Sequence, residues 1–208
     1  MASEEARAPA SGLERLIQRR RMFDHFNGIA FAYDRLLGTP DVERFRRLLR
    51  LPAAGWLLDA GGGTGRVSFH LRPWTGGVVV SDLSREMLKR AAKKKAIHPV
   101  RAHAERLPFR DGTFDRIMVV DALHHFCDSG EAVADLLRVL RPGGRLLIEE
   151  PDLRLPAVKV VAVLEKLFLM RSRFETPEAI RERIEAHGLA AAIERGGGFR
   201  AWVWADKL

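Results

Sequence analysis

Apolar residues along this chain fall into short unbroken runs separated by polar, periodic stretches. Trp56-Leu57-Leu58 and Val78-Val79-Val80 are such runs, and residues 99–102, 114–121 and 145–150 are short apolar-rich stretches interrupted or flanked by charges. Each is too short for a buried helix and reads as a buried strand. Between them lie segments with helical periodicity. Ser84 is placed to cap a helix over 85–95. Asp128 with Glu131 has capping-box spacing for a helix ending at Leu140, and Pro142-Gly143-Gly144 is read as its stop. Strand alternating with helix predicts a parallel, doubly wound α/β sheet over 56–150. After it, Thr176 and Pro177 open a further helix that Gly188 ends. Residues 189–195 and 199–206 then pair as an antiparallel hairpin around Gly196-Gly197-Gly198.

The flanks read differently. Residues 1–12 are polar and predicted to be a disordered tail. Leu13, Leu16, Ile17, Met22, Phe23 and Phe26 recur at three and four spacing, so 13–52 is predicted to be a helical cap. Phe23, Phe26, Phe31 and Tyr33 crowd one stretch of it, and Asp41 starts its last helix, which Pro52 ends. Residues 155–171 form an apolar helix with two readings, a lid over a greasy ligand and a core or dimer helix. The expected layout is one domain over 13–208: the cap at 13–52, a ligand-binding core at 53–150, then a lid helix and a terminal helix-hairpin.

The chemistry-bearing stretch is 56–68, WLLDAGGGTGRVS. A strand ends at Asp59. Gly61, Gly62, Gly63 and Gly65 follow within five positions, and a helix can open after Gly65. Glycine permits a tight turn and lets a ligand approach bare backbone. A dinucleotide fingerprint spaces its glycines G-x-G-x-x-G. Here the third glycine comes one place early, and an acid precedes the loop. That combination departs from the dinucleotide fingerprint. Asp82 ends the second strand, 21 residues past Gly61, where a carboxylate can accept two ribose hydroxyls. His124 and His125 leave the fourth strand at the edge where open α/β sheets bind ligands. A histidine there is a natural general base, while the other reading makes one of the pair a core or helix-entry residue.

Composition narrows the classes. The chain has 208 residues, 47% of them hydrophobic, and a single cysteine, Cys127. One cysteine excludes internal disulfides and a multi-cysteine metal site. The polar N-terminus has no apolar signal core, so a cytoplasmic location is expected. Net charge is +8, and residues 84–110 carry nine Lys/Arg against two Glu. Such a face attracts nucleic acid, an anionic membrane surface or an acidic small molecule. No aromatic residue interleaves with the lysines of the helix, as a single-strand binder would want. A solvated helix face is therefore preferred, nucleic acid is disfavoured, and peripheral contact with an anionic surface and a homodimer stay open.

Four ordered motifs resemble the class I S-adenosylmethionine-dependent methyltransferases: DAGGGTG at 59–65, SDLSREML at 81–88, AERLPFRDGTFDRI at 104–117 and LLRVLRPGGRLLIEEP at 136–151. The likeness is nearest to the ubiquinone and menaquinone biosynthesis C-methyltransferases and their small-molecule relatives, the type 11 group. It implies a Rossmann-like, mostly parallel sheet of about seven strands and S-adenosylmethionine as cofactor. It also implies roles. Gly61, Gly63 and Gly65 would border the methionine part, and Asp59 would meet its ammonium. Asp82 would hold the ribose, with Leu83 and Met87 against the adenine and Ala104 and Glu105 at its edge. Asp121 would face the methionine end. Phe23 and Tyr33 match an aromatic N-terminal cap, and Tyr33 joins His124 and His125 as a candidate catalytic residue. The quinone enzymes carry an Arg-Asn pair after strand four, where this chain has Leu123-His124-His125-Phe126. The expected activity is methyl transfer to a small, hydrophobic acceptor such as a quinol, phenol or lipid, at carbon, oxygen or nitrogen. The alternatives are an RNA or protein methyltransferase using the 84–110 face, and a cofactor-binding subunit without catalysis. Asp121-Ala122-Leu123-His124 lacks the Pro-Pro motif of base-amine methyltransferases. Cys127 follows Phe126 rather than the proline that pyrimidine-carbon methylation uses.

Overall fold

A computed structural model describes residues 39–152, 173–196 and 200–208. The expected tail, the cap aromatics Phe23, Phe26, Phe31 and Tyr33, and the 155–171 helix all lie outside the described residues.

The core is a seven-stranded sheet with the order β3-β2-β1-β4-β5-β7-β6. In chain order its strands are β1 (Ala53–Ala60), β2 (Thr75–Asp82), β3 (Ile97–Arg101), β4 (Phe114–Val120), β5 (Leu140–Pro151), β6 (Ala191–Arg195) and β7 (Arg200–Asp206). β1 to β5 run parallel, and β7 enters antiparallel beside β5. The helices are α1 (Val42–Leu48), α2 (Ser68–Leu71), α3 (Arg85–Ala91), α4 (Ser129–Val139) and α5 (Pro177–Glu185). The predicted α/β class, the parallel strands and the terminal antiparallel hairpin are all present.

Alternation along the strands sorts side chains into two apolar layers. Leu58, Ile117, Val119, Leu146 and Ile148 face one side, where Leu136 of α4 and Ile180 and Ile184 of α5 cover them. Leu57, Val78, Val80, Met118 and Leu147 face the other, beneath Phe45 and Leu48 of α1 and Leu88 of α3. A strand buried on both faces reads as a continuous apolar run, which is the reason β1 and β2 are visible in the sequence.

Caps sit where short polar side chains precede helices. Asp41 accepts from Arg44 N at 3.1 Å, Ser84 from Met87 N at 3.2 Å and Thr176 from Ala179 N at 3.2 Å. Asp128 takes the N–H groups of Gly130 and Glu131. A buried guanidinium ties the elements together. Buried Arg145 of β5 grips both carboxylate oxygens of Asp206 at 2.7 Å and donates to Leu48 O at 2.8 Å. That guanidinium joins β5, β7 and α1, and it holds the Asp206 carboxyl below its ordinary range.

Three boundaries differ from the sequence reading. The helix expected straight after Gly65 is only the single turn Ser68–Leu71, because turns occupy most of residues 61–67. The helix expected over 85–95 ends at Ala91. Pro142-Gly143-Gly144 does not separate α4 from β5: β5 begins at Leu140, which pairs with Phe114 ahead of a register shift. Gly143, with a φ of 74°, absorbs that irregularity.

Candidate functional site

The glycine loop leaves β1 at the C-terminal edge of the sheet and is clasped by β2. Gly61 N and Gly62 N both donate to Ser81 O, at 2.8 and 3.2 Å. Gly63 N donates to Asp82 Oδ2 at 2.9 Å. These N–H groups are therefore turned toward β2 and its end, unlike the outward-facing amides of a phosphate cradle. Gly61, Gly63 and Gly65 take φ values of 71°, 55° and 68°. Gly62 is required for a different reason. A Cβ there would lie 2.3 Å from Asp59 Cγ, so the loop folds directly over the Asp59 carboxyl.

Under this loop opens a cleft with about 1020 Å³ of empty space, part of it open solvent. The sequence-predicted residues Asp59, Gly61, Gly63, Asp82, Leu83, Met87, Ala104, Glu105, Asp121 and His125 all line it. Gly65 does not line the cleft. A Cβ on it would meet Val80 and Ser68, so it serves the packing of the turn. Arg66, Ser81, Phe126 and Cys127 line the cleft without having been predicted. Phe126 was readable only through space: a Cβ on Gly61 would meet its ring at 3.1 Å.

The acidic groups are differently committed. Asp59 is buried, and its Oδ1 has no hydrogen-bond partner among the described residues. Burial, opposed by the Ser68 hydroxyl and reinforced by Asp82, pushes its carboxyl up to about 7. Asp82 is also raised by burial, against the pull of backbone N–H groups from Ser84, Gly63 and Leu83. Glu105 turns to the loop after β4, where its Oε1 accepts from Cys127 N at 2.7 Å and Asp128 N at 3.2 Å. It braces the cleft wall as well as lining it.

The two histidines separate. They occupy a single 3-10 turn (Leu123–His125) after Asp121, which itself takes a φ of 54°. His124 is 4% exposed and points away from the cleft. Its Nδ1 lies 2.5 Å from Glu150 Oε2, and its ring stacks on Phe174 at 4.2 Å. Glu150 Oε1 accepts from Ala122 N at 3.0 Å and Leu123 N at 2.7 Å, so one carboxylate fixes the whole turn. His125 lies on the cleft wall, with its ring 3.9 Å from that of His124. Burial, and then the neighbouring His124, lower its pKa well below the ordinary histidine value. Glu150 was missed by sequence reasoning, since nothing local marks it as the partner of a residue 26 positions earlier. Among the described residues no group of three or more His, Cys, Asp and Glu side chains is arranged to hold a metal ion. No described helix is long and apolar enough to cross a membrane.

Comparison with known proteins bears on this geometry. The methyltransferase-domain family matches residues 58–148, from the end of β1 to the end of β5. The chain is 34% identical over 151 residues to the ubiquinone/menaquinone biosynthesis C-methyltransferase UbiE of Escherichia coli O1:K1 / APEC. That alignment covers 64% of this chain and 60% of UbiE, so the chain matches well under two thirds of the relative's length. The YcgJ protein of Bacillus subtilis has a similar structure, with a TM-score of 0.67 and 25% identity over 74% of this chain and 70% of that one. A Thermotoga maritima protein described as a possible histamine N-methyltransferase shares the fold, with a TM-score of 0.73 and 21% identity over 90% of this chain and 100% of that one. The comparisons liken residues 58–148 to the S-adenosylmethionine-dependent methyltransferases, and the cofactor this likeness implies is S-adenosylmethionine.

Proposed function

We propose that this chain transfers a methyl group from S-adenosylmethionine to a small, hydrophobic acceptor bound beside His125. The observation that carries the reading is the Asp59 carboxyl. It is buried, partly unpaired and set under a loop whose amides are directed to β2. Such a group calls for a cationic or hydrogen-bond-donating ligand and repels a phosphate. The cleft fits the family's cofactor in its other parts as well. Asp82 retains lone pairs for hydroxyls. Leu83, Met87 and Ala104 offer apolar surface for a flat base, and Asp59 with Asp121 lies toward the end that would take an amino acid. The Phe23 and Tyr33 assignments remain part of the proposal as an aromatic cap, with Tyr33 as a second candidate near the acceptor.

The bound cofactor supplies a methyl group on a sulfonium, which needs no further activation. The protein's part is to orient the acceptor, exclude water and remove a proton where the acceptor carries one. His125 is suited to that last task. Its imidazole is neutral at pH 7 and can accept a proton, and burial makes it a weaker base than a solvated histidine. Glu150 and His124 are positioning residues, holding the turn from which His125 projects. The acceptor class rests on the likeness to UbiE, whose name describes quinone C-methylation, and on the apolar share of the cleft wall. The test is incubation of the protein and methyl-labelled S-adenosylmethionine with separated lipid, small-molecule, RNA and protein fractions. Label in the organic-soluble fraction supports the reading. Label confined to RNA or protein overturns the acceptor class.

A further inference from the structure

A second cavity adjoins the first and shares Arg66 and Val67 with it. It holds about 860 Å³ of empty space, part of it open solvent, between α1, the glycine loop and the ends of β5 and β7. Its walls combine three guanidinium groups, Arg44, Arg66 and Arg200, with the apolar surfaces of Phe45, Val67 and Trp202. Two carboxylates, Asp41 and Glu149, also line it.

Contacts with neighbouring side chains hold the cationic lining in place. Glu149 is buried, and both of its oxygens are engaged, one by Arg200 Nη1 and the other by Trp202 Nε1 at 2.6 Å. That leaves Glu149 with little to offer a ligand, while a guanidinium carries five N–H donors in a planar fork. Arg44 stacks over the Trp202 ring at 4.4 Å, with Asp41 at 3.5 Å and Glu194 at 3.9 Å as its ion-pair partners. The stack requires Gly196, where a Cβ would fall 2.8 Å from the Trp202 ring and 2.9 Å from Arg44 Nη1. A planar guanidinium on an aromatic face, beside a second one paired to a buried acid, is suited to bidentate capture of a carboxylate.

We propose that this cavity binds the carboxylate of the acceptor, so that the substrate is an apolar or aromatic acid rather than a neutral lipid. The proposal rests on the methyltransferase reading above, because it treats the adjoining cleft as the cofactor's. The carboxylate of the cofactor's own methionine is the competing ligand of the same chemistry.

Titration calorimetry with 2-naphthoate and 2-naphthol as probes, in saturating S-adenosylhomocysteine, separates these outcomes. The wild-type protein should bind 2-naphthoate about tenfold or more tighter than 2-naphthol, as expected for a charge-assisted hydrogen bond. Arg44→Gln and Arg200→Gln should each remove that preference and leave S-adenosylhomocysteine affinity unchanged. Should Arg200→Gln not fold, because Glu149 loses its partner, Arg44→Gln decides alone. Naphthoate binding no tighter than naphthol, or not at all, overturns the proposal. So does an Arg44→Gln variant that loses S-adenosylhomocysteine affinity, which assigns the cavity to the methionine carboxylate. A wild-type protein with no affinity for S-adenosylhomocysteine defeats the methyltransferase reading itself, a distinguishable failure.

Discussion

The carboxylate of Asp82 accepts the backbone N–H of Gly63 at 2.9 Å across 19 residues of sequence, while its other oxygen takes Ser84 N at 2.7 Å. The residue expected to hold a ribose is therefore also the clamp that sets the glycine loop. Asp82→Asn keeps the shape but replaces one acceptor oxygen with a donor. Hydrogen bonds to a charged group are worth about 1.5–3 kcal/mol. S-adenosylhomocysteine affinity should fall by about tenfold to a hundredfold, with a smaller loss of thermal stability, both read by calorimetry. Unchanged affinity would remove Asp82 from the site.

The Asp59 carboxyl gives a pH signature. Its folded pKa of about 7 lies above the ordinary 3.8, so the folded protein binds the extra proton between those values. Stability from this group is complete below pH 4 and is lost as pH rises toward 7, by up to about 4 kcal/mol. Asp59→Asn should therefore be more stable than wild type at pH 8, with the difference shrinking toward pH 4. Binding of a cationic ligand beside Asp59 should expel that proton. Calorimetry near pH 6.5 in buffers of different ionisation heat should detect proton release on S-adenosylmethionine binding. Identical heats in all buffers would count against this.

Gly62 is the one loop glycine that the D-x-G-x-G-x-G spacing leaves unassigned. Gly62→Ala should destabilise the protein by about 1–3 kcal/mol, since its methyl overlaps the Asp59 carboxyl. Asp59→Ala in the same chain should restore most of that loss. Thermal melts of the two single variants and the double variant check it, and simple additivity would contradict the packing explanation.

The histidine pair predicts a division of labour. His125→Ala should lower turnover by about a hundredfold or more while leaving cofactor affinity intact. Glu150→Gln should lower it less and also shift its pH dependence, because Glu150 acts through His124. The lowered pKa of His125 places the acidic limb of the rate profile below pH 6.5. The sign for stability follows: the unfolded chain takes up this proton first, so the contribution is present above pH 6.5 and is lost as pH falls. Full activity in His125→Ala would identify an acceptor that needs no base.

What the sequence revealed and what it hid have physical causes. β1 and β2 were legible because both faces are buried, which writes an apolar run into the chain. The glycine loop was legible because close approach and positive φ both demand glycine locally. Arg145 with Asp206 and His124 with Glu150 were hidden, because each depends on a meeting that only the sheet order produces, and Gly62 with Asp59 was hidden because it depends on how the loop folds back. β5 was clipped at its start because Pro142-Gly143-Gly144 carries turn chemistry, yet the pairing of Leu140 with Phe114 overrides it. That one histidine of the pair could be a core residue was readable, but not which one: both leave a single 3-10 turn, His124 toward Glu150 and His125 toward the cleft.

The central claim is that the glycine loop binds S-adenosylmethionine. Titration calorimetry with S-adenosylhomocysteine and with NAD, on wild type and Gly63→Val, tests it most directly. At Gly63 an added Cβ has its nearest neighbours, Asp82 and Met87, at 3.9 Å, so valine has room to fold but intrudes on the cleft. The positive φ should cost about 1–2 kcal/mol, which lowers stability without unfolding the chain. Wild type should bind S-adenosylhomocysteine, the folded Gly63→Val variant should not, and neither should bind NAD. NAD binding without S-adenosylhomocysteine binding, or equal S-adenosylhomocysteine affinity in the two proteins, would contradict it.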